Sequence, residues 1–175
     1  MTAYAIEKGG GTFVAQPSVH DLSDGLRTMI GMTAGLQKGA IHDLINARTL
    51  LEVEAARLAA ERCDLAALES LEAMLPPRDT EWMAGEPAIM SNLSFHCGVL
   101  RASGNRMLEI IAYPIIAAVH DAVNRRWADE HLVTNGSRAH WRMLDLMRAG
   151  DSAGAAALMQ MHVDRHHVSE AAYSR

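Results

Sequence analysis

The spacing of apolar residues predicts a chain built from helices. From Ser18 onward, apolar residues recur every three or four positions, which places them on one face of an α-helix. Glycines, prolines and capping residues such as Asp64, Ser137 and Asp151 divide this pattern into segments. The predicted helices span about 18–37, 41–62, 64–75, 87–102, 105–128, 137–150 and 151–168. Because the links between them are short, we predict an all-α, antiparallel bundle of six or seven helices.

The first seventeen residues follow a different pattern. Two short alternating stretches between Tyr4 and Val14 flank the turn Gly9-Gly10-Gly11, and Pro17 ends the segment. This pattern predicts a small β-hairpin, which is too small to be stable alone. We therefore divide the chain into an N-terminal hairpin segment, 1–17, and a helical domain, 18–175.

Composition narrows the classes of function. Hydrophobic residues make up 49% of the 175 residues and aromatic residues only 5%, so helix-forming Ala, Leu and Met supply the core. A net charge of −5 argues against tight nucleic-acid binding by this chain alone. Cys63 and Cys97 form no CxxC pair and suggest no disulfide framework.

No apolar run approaches the roughly 18 residues of a membrane span, and no signal-peptide pattern is present. We expect a cytoplasmic protein without a membrane partner.

Three histidines occupy helix faces that are otherwise apolar. The three faces are Ile89-Leu93-His96-Leu100, His140-Met143-Leu144-Met147 and Ala155-Leu158-Met159-His162. A single buried histidine is ordinarily a hydrogen-bonded core residue. Three buried histidines on separate helices each bring two ring nitrogens into the core. Each ring nitrogen that is buried without a hydrogen-bond partner costs about 1–3 kcal/mol. A shared divalent cation takes one nitrogen from each ring, so we predict a metal site.

Two further residues are candidates for a fourth ligand. Asn92 lies one helical turn before His96, and His166 lies one turn after His162 as a competitor. Zinc is the first candidate cation because it accepts three imidazoles, while nickel, manganese and iron also suit a nitrogen-rich site. The other histidines fit no common cluster and are interpreted as surface or structural residues: His20, His42, His120, His131 and His167.

Arg48 stands at an apolar position of the second helix. Two interpretations remain open. Its aliphatic stem can lie along the core while the charge reaches water or pairs with Glu52, four residues later. Alternatively, the guanidinium faces a polar cavity and holds a carboxylate with its planar fork.

Several segments, taken in order, resemble a known family. They are DLINARTLLEVEAARLAAER (43–62), NLSFH (92–96), ASGN (102–105) and the pair His140 and His162. Together they resemble, over about 18–168, the FCD effector domain of the FadR group of GntR-type transcription regulators. The resemblance implies a bundle around a central metal and ligand cavity, a homodimer, and an effector that is a small organic acid or sugar acid.

The resemblance also implies roles for individual residues. The family's metal ligands correspond to Asn92, His96, His140 and His162, with Asn92 standing where the family has an aspartate. The amide keeps an oxygen ligand but loses its charge, which weakens the binding of a hard cation. The family's effector-binding Arg and Asn correspond to Arg48 and Asn105.

The N-terminal run GGGTFVA (9–15) resembles the last strand of the wing in the winged helix-turn-helix domain of such regulators. On this interpretation residues 1–17 are a remnant of the wing, and DNA is a partner only through a domain absent from this chain. A shortened chain, a misassigned start and a natural stand-alone sensor are all compatible with it. A plain hairpin extension is the simpler alternative.

The resulting hypothesis is a metal-dependent sensor of a small carboxylate, with no catalytic residues. One alternative is an enzyme, because a three-histidine site with open positions can support metal-assisted hydrolysis, with Glu52 as the base. The sequence lacks HExxH, an ExxH pair and a recognisable nucleophile, which argues against it. The other alternative is a metal-free helical dimerisation module with the histidines buried in its core.

Overall fold

The computed structural model describes residues 4–6, 12–14, 19–36, 40–78, 80, 85–124 and 130–171. Within these ranges the chain forms two short strands and seven α-helices. In order they are β1 (Tyr4–Ile6), β2 (Thr12–Val14), α1 (Val19–Leu36), α2 (Ala40–Arg62), α3 (Leu65–Glu72), α4 (Gly85–Ala102), α5 (Arg106–Asn124), α6 (Glu130–Arg148) and α7 (Ser152–Ala171). The predicted all-helical bundle is confirmed, and none of the described helices is long and apolar enough to cross a membrane.

The two strands pair as an antiparallel hairpin. Tyr4 lies opposite Val14, and Ile6 lies opposite Thr12. This pairing agrees with the alternation seen in the sequence. The predicted glycine turn at 9–11 and Pro17 lie outside the described residues.

The second helix is the centre of the bundle. It packs against α1, α4, α5, α6 and α7, most extensively against α7. Its inward face carries small residues, among them Ala55, Ala56 and Ala59, which are completely buried. Small side chains let neighbouring helices approach closely, so α2 acts as the common support for the helices that carry the three histidines.

Capping residues fix several helix ends. The carboxylate of Asp64 accepts a hydrogen bond from the backbone N–H of Ala67 at 2.9 Å and begins α3. Asp151 likewise accepts from the N–H of Gly154 at 2.8 Å and begins α7. Both predicted caps are confirmed. Gly150, with φ of 69°, provides the left-handed residue after α6 that favours glycine.

The sixth helix begins earlier than predicted. It starts at Glu130, so Ser137 lies inside the helix and is not its N-cap. Helix propensity is a weak preference, and an interior Gly136 costs only about 1 kcal/mol, which a helix of 19 residues can absorb. The end predicted for the fifth helix, near residue 128, lies outside the described residues.

Candidate metal and anion site

Three imidazoles from three helices meet inside the bundle. His96 of α4, His140 of α6 and His162 of α7 are 1%, 3% and 5% exposed. Nε2 of His162 lies 3.2 Å from Nε2 of His96 and 3.1 Å from Nε2 of His140. The structure therefore brings together the three histidines singled out by the apolar stripes, and we call them the imidazole cluster.

The spacing of the nitrogens suits a shared cation. Metal–nitrogen bonds of about 2.0–2.1 Å place two ligands about 3.4 Å apart at a tetrahedral angle and about 2.9 Å apart at a right angle. The separations of 3.1 and 3.2 Å fall between these values. Three buried nitrogen donors converging from separate helices form a group that can hold a metal ion. The donor set fits zinc or a neighbouring transition metal, and three protein ligands leave positions for others.

Ring stacking restricts the orientation of the cluster. The Phe95 ring, which is completely buried, stacks on His140 with centroids 4.3 Å apart and planes 21° apart. His96 and His162 lie nearly parallel, with centroids 5.2 Å apart. Because the rings are packed on their faces, their nitrogens are held in place before any ion binds.

A carboxylate from α2 contacts the cluster. Glu52 is 1% exposed, and its Oε2 lies 2.6 Å from Nδ1 of His96. Its other oxygen, Oε1, accepts a hydrogen bond from Nε of Arg48 at 2.7 Å. From the sequence alone, Glu52 is a candidate only for a partner of Arg48 or for a catalytic base. Its position on the interior face of α2 was the available signal, but its contact with α4 depends on the tertiary fold.

The charge state of Glu52 follows from its neighbours. Burial raises the pKa of a carboxyl group, but the Arg48 charge and the contact with His96 outweigh this effect and hold the pKa of Glu52 at about 2. Glu52 is therefore ionised at neutral pH. An effective general base needs a pKa near the working pH, so this carboxylate does not suit the catalytic role considered above.

Arg48 is buried beside Glu52 and is 3% exposed. The ion pair between the two residues is the simpler of the two interpretations of Arg48, and it is present. That hydrogen bond uses Nε, and in the described part of the chain the two terminal nitrogens make no hydrogen bond. The guanidinium can therefore anchor Glu52 with one edge while the terminal nitrogens remain as donors for an anion. Its role as a carboxylate clamp stays a prediction.

The remaining predicted residues are less closely tied to the cluster. Asn92 is half-buried on α4, one turn before His96, and its role as fourth ligand stays a prediction. Asn105 uses its side-chain oxygen to accept the N–H of Leu108 at 3.1 Å, which caps α5. Its amide N–H groups remain as donors for an effector. The side chain of His166 lies outside the described residues.

The other histidines lie in varied surroundings. His42 is exposed at the start of α2, whereas His120 is buried in α5 at 7% exposure. Neither belongs to the imidazole cluster. The side chains of His20, His131 and His167 lie outside the described residues.

Comparison with known proteins decides the family. The FCD domain profile matches residues 43–165, which include α3, α4, α5 and α6 in full and all three clustered imidazoles. This chain belongs to the FCD domain family. The match also includes Arg48, Glu52, Asn92 and Asn105. An FCD domain is an effector-binding regulatory domain, and this chain shares that general character.

Two individual proteins extend the comparison. This chain is 24% identical over 168 residues to the HTH-type transcriptional regulator LutR of Bacillus subtilis (strain 168). The aligned region covers 93% of this chain and 75% of LutR. The fold of this chain is similar to that of Streptococcus agalactiae GntR, with a TM-score of 0.64 and 21% sequence identity. That comparison covers 91% of this chain and 71% of the other.

Proposed function

We propose that this FCD domain senses a small carboxylate through a divalent metal ion held by His96, His140 and His162, with Asn92 as the fourth ligand. One observation carries the proposal, namely the convergence of the three buried Nε2 atoms at separations of 3.1 and 3.2 Å. Zinc is the cation proposed first, with nickel, manganese and iron as alternatives. When bound, the ion supplies positive charge and open coordination positions for an oxygen ligand.

The effector is proposed to bind at the same centre. Arg48 is buried and shares the Glu52 carboxylate with His96, which supports a position for the guanidinium close to the imidazole cluster. A carboxylate held jointly by a cation and a guanidinium loses little of the charge stabilisation that it had in water. We assign Arg48 and the amide N–H groups of Asn105 to this role. The effector class is a small organic acid or sugar acid.

The regulatory setting is also part of the proposal. We assign residues 1–17 to a wing segment and linker and 18–175 to the sensing domain of a cytoplasmic, homodimeric regulator of the GntR family. LutR is itself described as an HTH-type transcriptional regulator. In such a dimer, effector binding shifts the equilibrium between two placements of the DNA-binding domains. The net charge of −5 supports the expectation that this chain alone does not bind DNA.

Metal analysis tests the central claim. Protein purified without a histidine tag or added metal is analysed by elemental mass spectrometry, and its melting temperature is measured before and after chelation. We expect about one divalent ion per chain and a lower melting temperature after chelation, because an ion bound only to the folded state stabilises it.

Matched histidine variants provide the control. His140→Ala removes one ligand of the cluster and should abolish metal binding, whereas His42→Ala removes an exposed imidazole and should retain it. Absence of metal, with a melting temperature that chelation does not change, would instead support the metal-free dimerisation module. The amide at Asn92 is the observation that favours this second candidate.

A further inference from the structure

We infer that Glu52 is a positioning residue that selects the ring tautomer of His96 and thereby directs the lone pair of its Nε2 toward His140 and His162. The part of this inference that concerns metal affinity rests on the proposed function. The part that concerns the tautomer does not, since it applies to the metal-free protein.

Glu52 Oε2 and His96 Nδ1 lie 2.6 Å apart in an ion-pair contact that is not an aligned hydrogen bond, because neither atom has a hydrogen-bond partner of normal geometry. An ionised carboxylate only accepts hydrogen bonds, and two facing lone pairs would repel at this distance. The contact therefore favours the proton on Nδ1. In a neutral imidazole the other nitrogen, Nε2, then carries a lone pair and no proton, which is the form that can bind a cation.

Arg48 holds Glu52 in place. Arg48, one turn earlier on α2, donates from Nε to Oε1 at 2.7 Å. The other oxygen, Oε2, lies against Nδ1 of His96. Because the two oxygens of a carboxylate lie in one rigid plane, a rotation that moves Oε2 away from His96 also moves Oε1 away from Arg48.

The contact between Glu52 and His96 joins two helices. Glu52 lies on α2, which carries none of the three imidazoles, and it contacts His96 on α4. In the described part of the chain it is the carboxylate that contacts the cluster. Carboxylates that accept from the second nitrogen of a ligand histidine fix its orientation and raise its basicity. Glu52 therefore supports His96 from outside the cluster without being a ligand.

Glu52→Gln is the informative variant. A glutamine has one accepting oxygen and one donating amide, but the site presents two donors, His96 Nδ1–H and Arg48 Nε–H. If the amide faces His96, Nδ1 must become the acceptor and the proton moves to Nε2, where it blocks the lone pair. Glu54→Gln is the matched control, because Glu54 is an exposed residue of the same helix whose carboxylate accepts hydrogen bonds from Arg57.

The first measurement is the tautomer of His96 in metal-free protein, from long-range nitrogen–proton NMR spectra. A His96→Gln sample identifies its signals. We expect the Nδ1–H form in the original protein and in Glu54→Gln, and a marked increase in the Nε2–H form in Glu52→Gln. An unchanged Nδ1–H form in Glu52→Gln would overturn the inference.

The second measurement is the affinity for Zn²⁺ in competition with a chromophoric chelator. Loss of such a supporting carboxylate lowers metal affinity by about 10–100-fold, so we expect this loss in Glu52→Gln and none in Glu54→Gln. Glu52→Asp keeps the charge on a shorter side chain and should recover part of the affinity. Equal affinity in the original protein and Glu52→Gln would count against the inference.

The two measurements distinguish a failure of the proposed function from a failure of the inference about Glu52. If the original protein binds no Zn²⁺, the proposed function fails while the NMR result still decides the role of Glu52. If Glu52→Gln does not fold because Arg48 is left as a buried charge without a partner, the double variant Arg48→Met/Glu52→Met removes both charges and the acceptor that faces Nδ1. Loss of the preference for the Nδ1–H form is expected in that variant, and its retention would overturn the inference.

Discussion

Trp141 donates its indole N–H to the carbonyl oxygen of Pro76 at 2.9 Å. The same ring lies under the guanidinium of Arg78, at 4.2 Å from its centroid, and Arg78 also forms two hydrogen bonds with Asp145. Trp141 and Asp145 both lie on α6, and Trp141 directly follows His140. The segment that follows α3 therefore packs against α6, the helix that carries His140 of the imidazole cluster.

Replacing the Trp141 indole tests how much this contact stabilises the folded protein. Trp141→Phe keeps an aromatic ring but removes the donor, so we expect a loss of about 0.5–1.5 kcal/mol in the free energy of unfolding. Hydrogen exchange should become faster at the backbone amides of Leu75 and Thr80, which lie on either side of the two prolines and donate to Glu72 and Pro77. Urea denaturation and exchange mass spectrometry provide the measurements, with the exposed Arg142→Gln as a control that should change neither. Equal protection in both variants would contradict the assigned role.

Restoring a carboxylate at residue 92 should strengthen metal binding. Asn92→Asp places a negative charge one turn before His96, and a charged oxygen ligand binds a divalent cation more tightly than a neutral amide. We expect the affinity for Zn²⁺ or Mn²⁺ to rise on the order of tenfold or more. Asn46→Asp makes the same change at an exposed position of α2 and should leave the affinity unaltered. A gain of equal size in both variants would indicate a general charge effect.

Arg48 can be tested without removing its charge. Arg48→Lys retains a cation beside Glu52 but loses the planar fork, so metal binding should persist. Affinity for a carboxylate effector should fall about 10–100-fold, the value of one or two charge-assisted hydrogen bonds. A thermal-shift screen of small organic acids and sugar acids identifies the ligand, and calorimetry measures its affinity. Arg57→Lys, on the exposed face of the same helix, is the control, and equal losses in the two variants would refute the clamp.

The low pKa of Glu52 predicts a particular dependence of stability on pH. The pKa falls from 4.5 to about 2 on folding, so the folded state favours the ionised form. The resulting stabilisation is complete above about 4.5 and is lost as the pH falls toward about 2. Chemical denaturation of metal-free protein between these limits, compared with Glu52→Gln, should show a stability difference that shrinks on acidification. A difference that is constant over this range would disprove the assignment.

The sequence predicted the helices and the imidazole cluster for the same physical reason. A histidine that continues an apolar stripe must turn inward with that stripe, so His96, His140 and His162 had to enter the core of a helical bundle. Contacts between side chains of different helices cannot be predicted from such a pattern. Nothing in the spacing of Glu52 indicates that it meets His96, since their contact depends on how α2 crosses α4.

A polar residue type alone did not predict its role where the same type occurs both as a helix cap and elsewhere. Ser137 has the side chain of a helix cap, yet it lies within α6. Asn105 is predicted to line the effector pocket through the family resemblance, and its oxygen also caps α5. Capping residues and pocket residues are drawn from the same polar types, so only coordinates distinguish their roles.

The members of the imidazole cluster are far apart along the chain. His162 is separated by 66 residues from His96 and by 22 from His140. Joining them through one ion would close two long loops at once, which restricts the unfolded chain in the manner of a removable cross-link. The C-terminal helical hairpin would then melt together with the rest of the bundle when the cross-link is in place, and ahead of it when a chelator has taken the ion away.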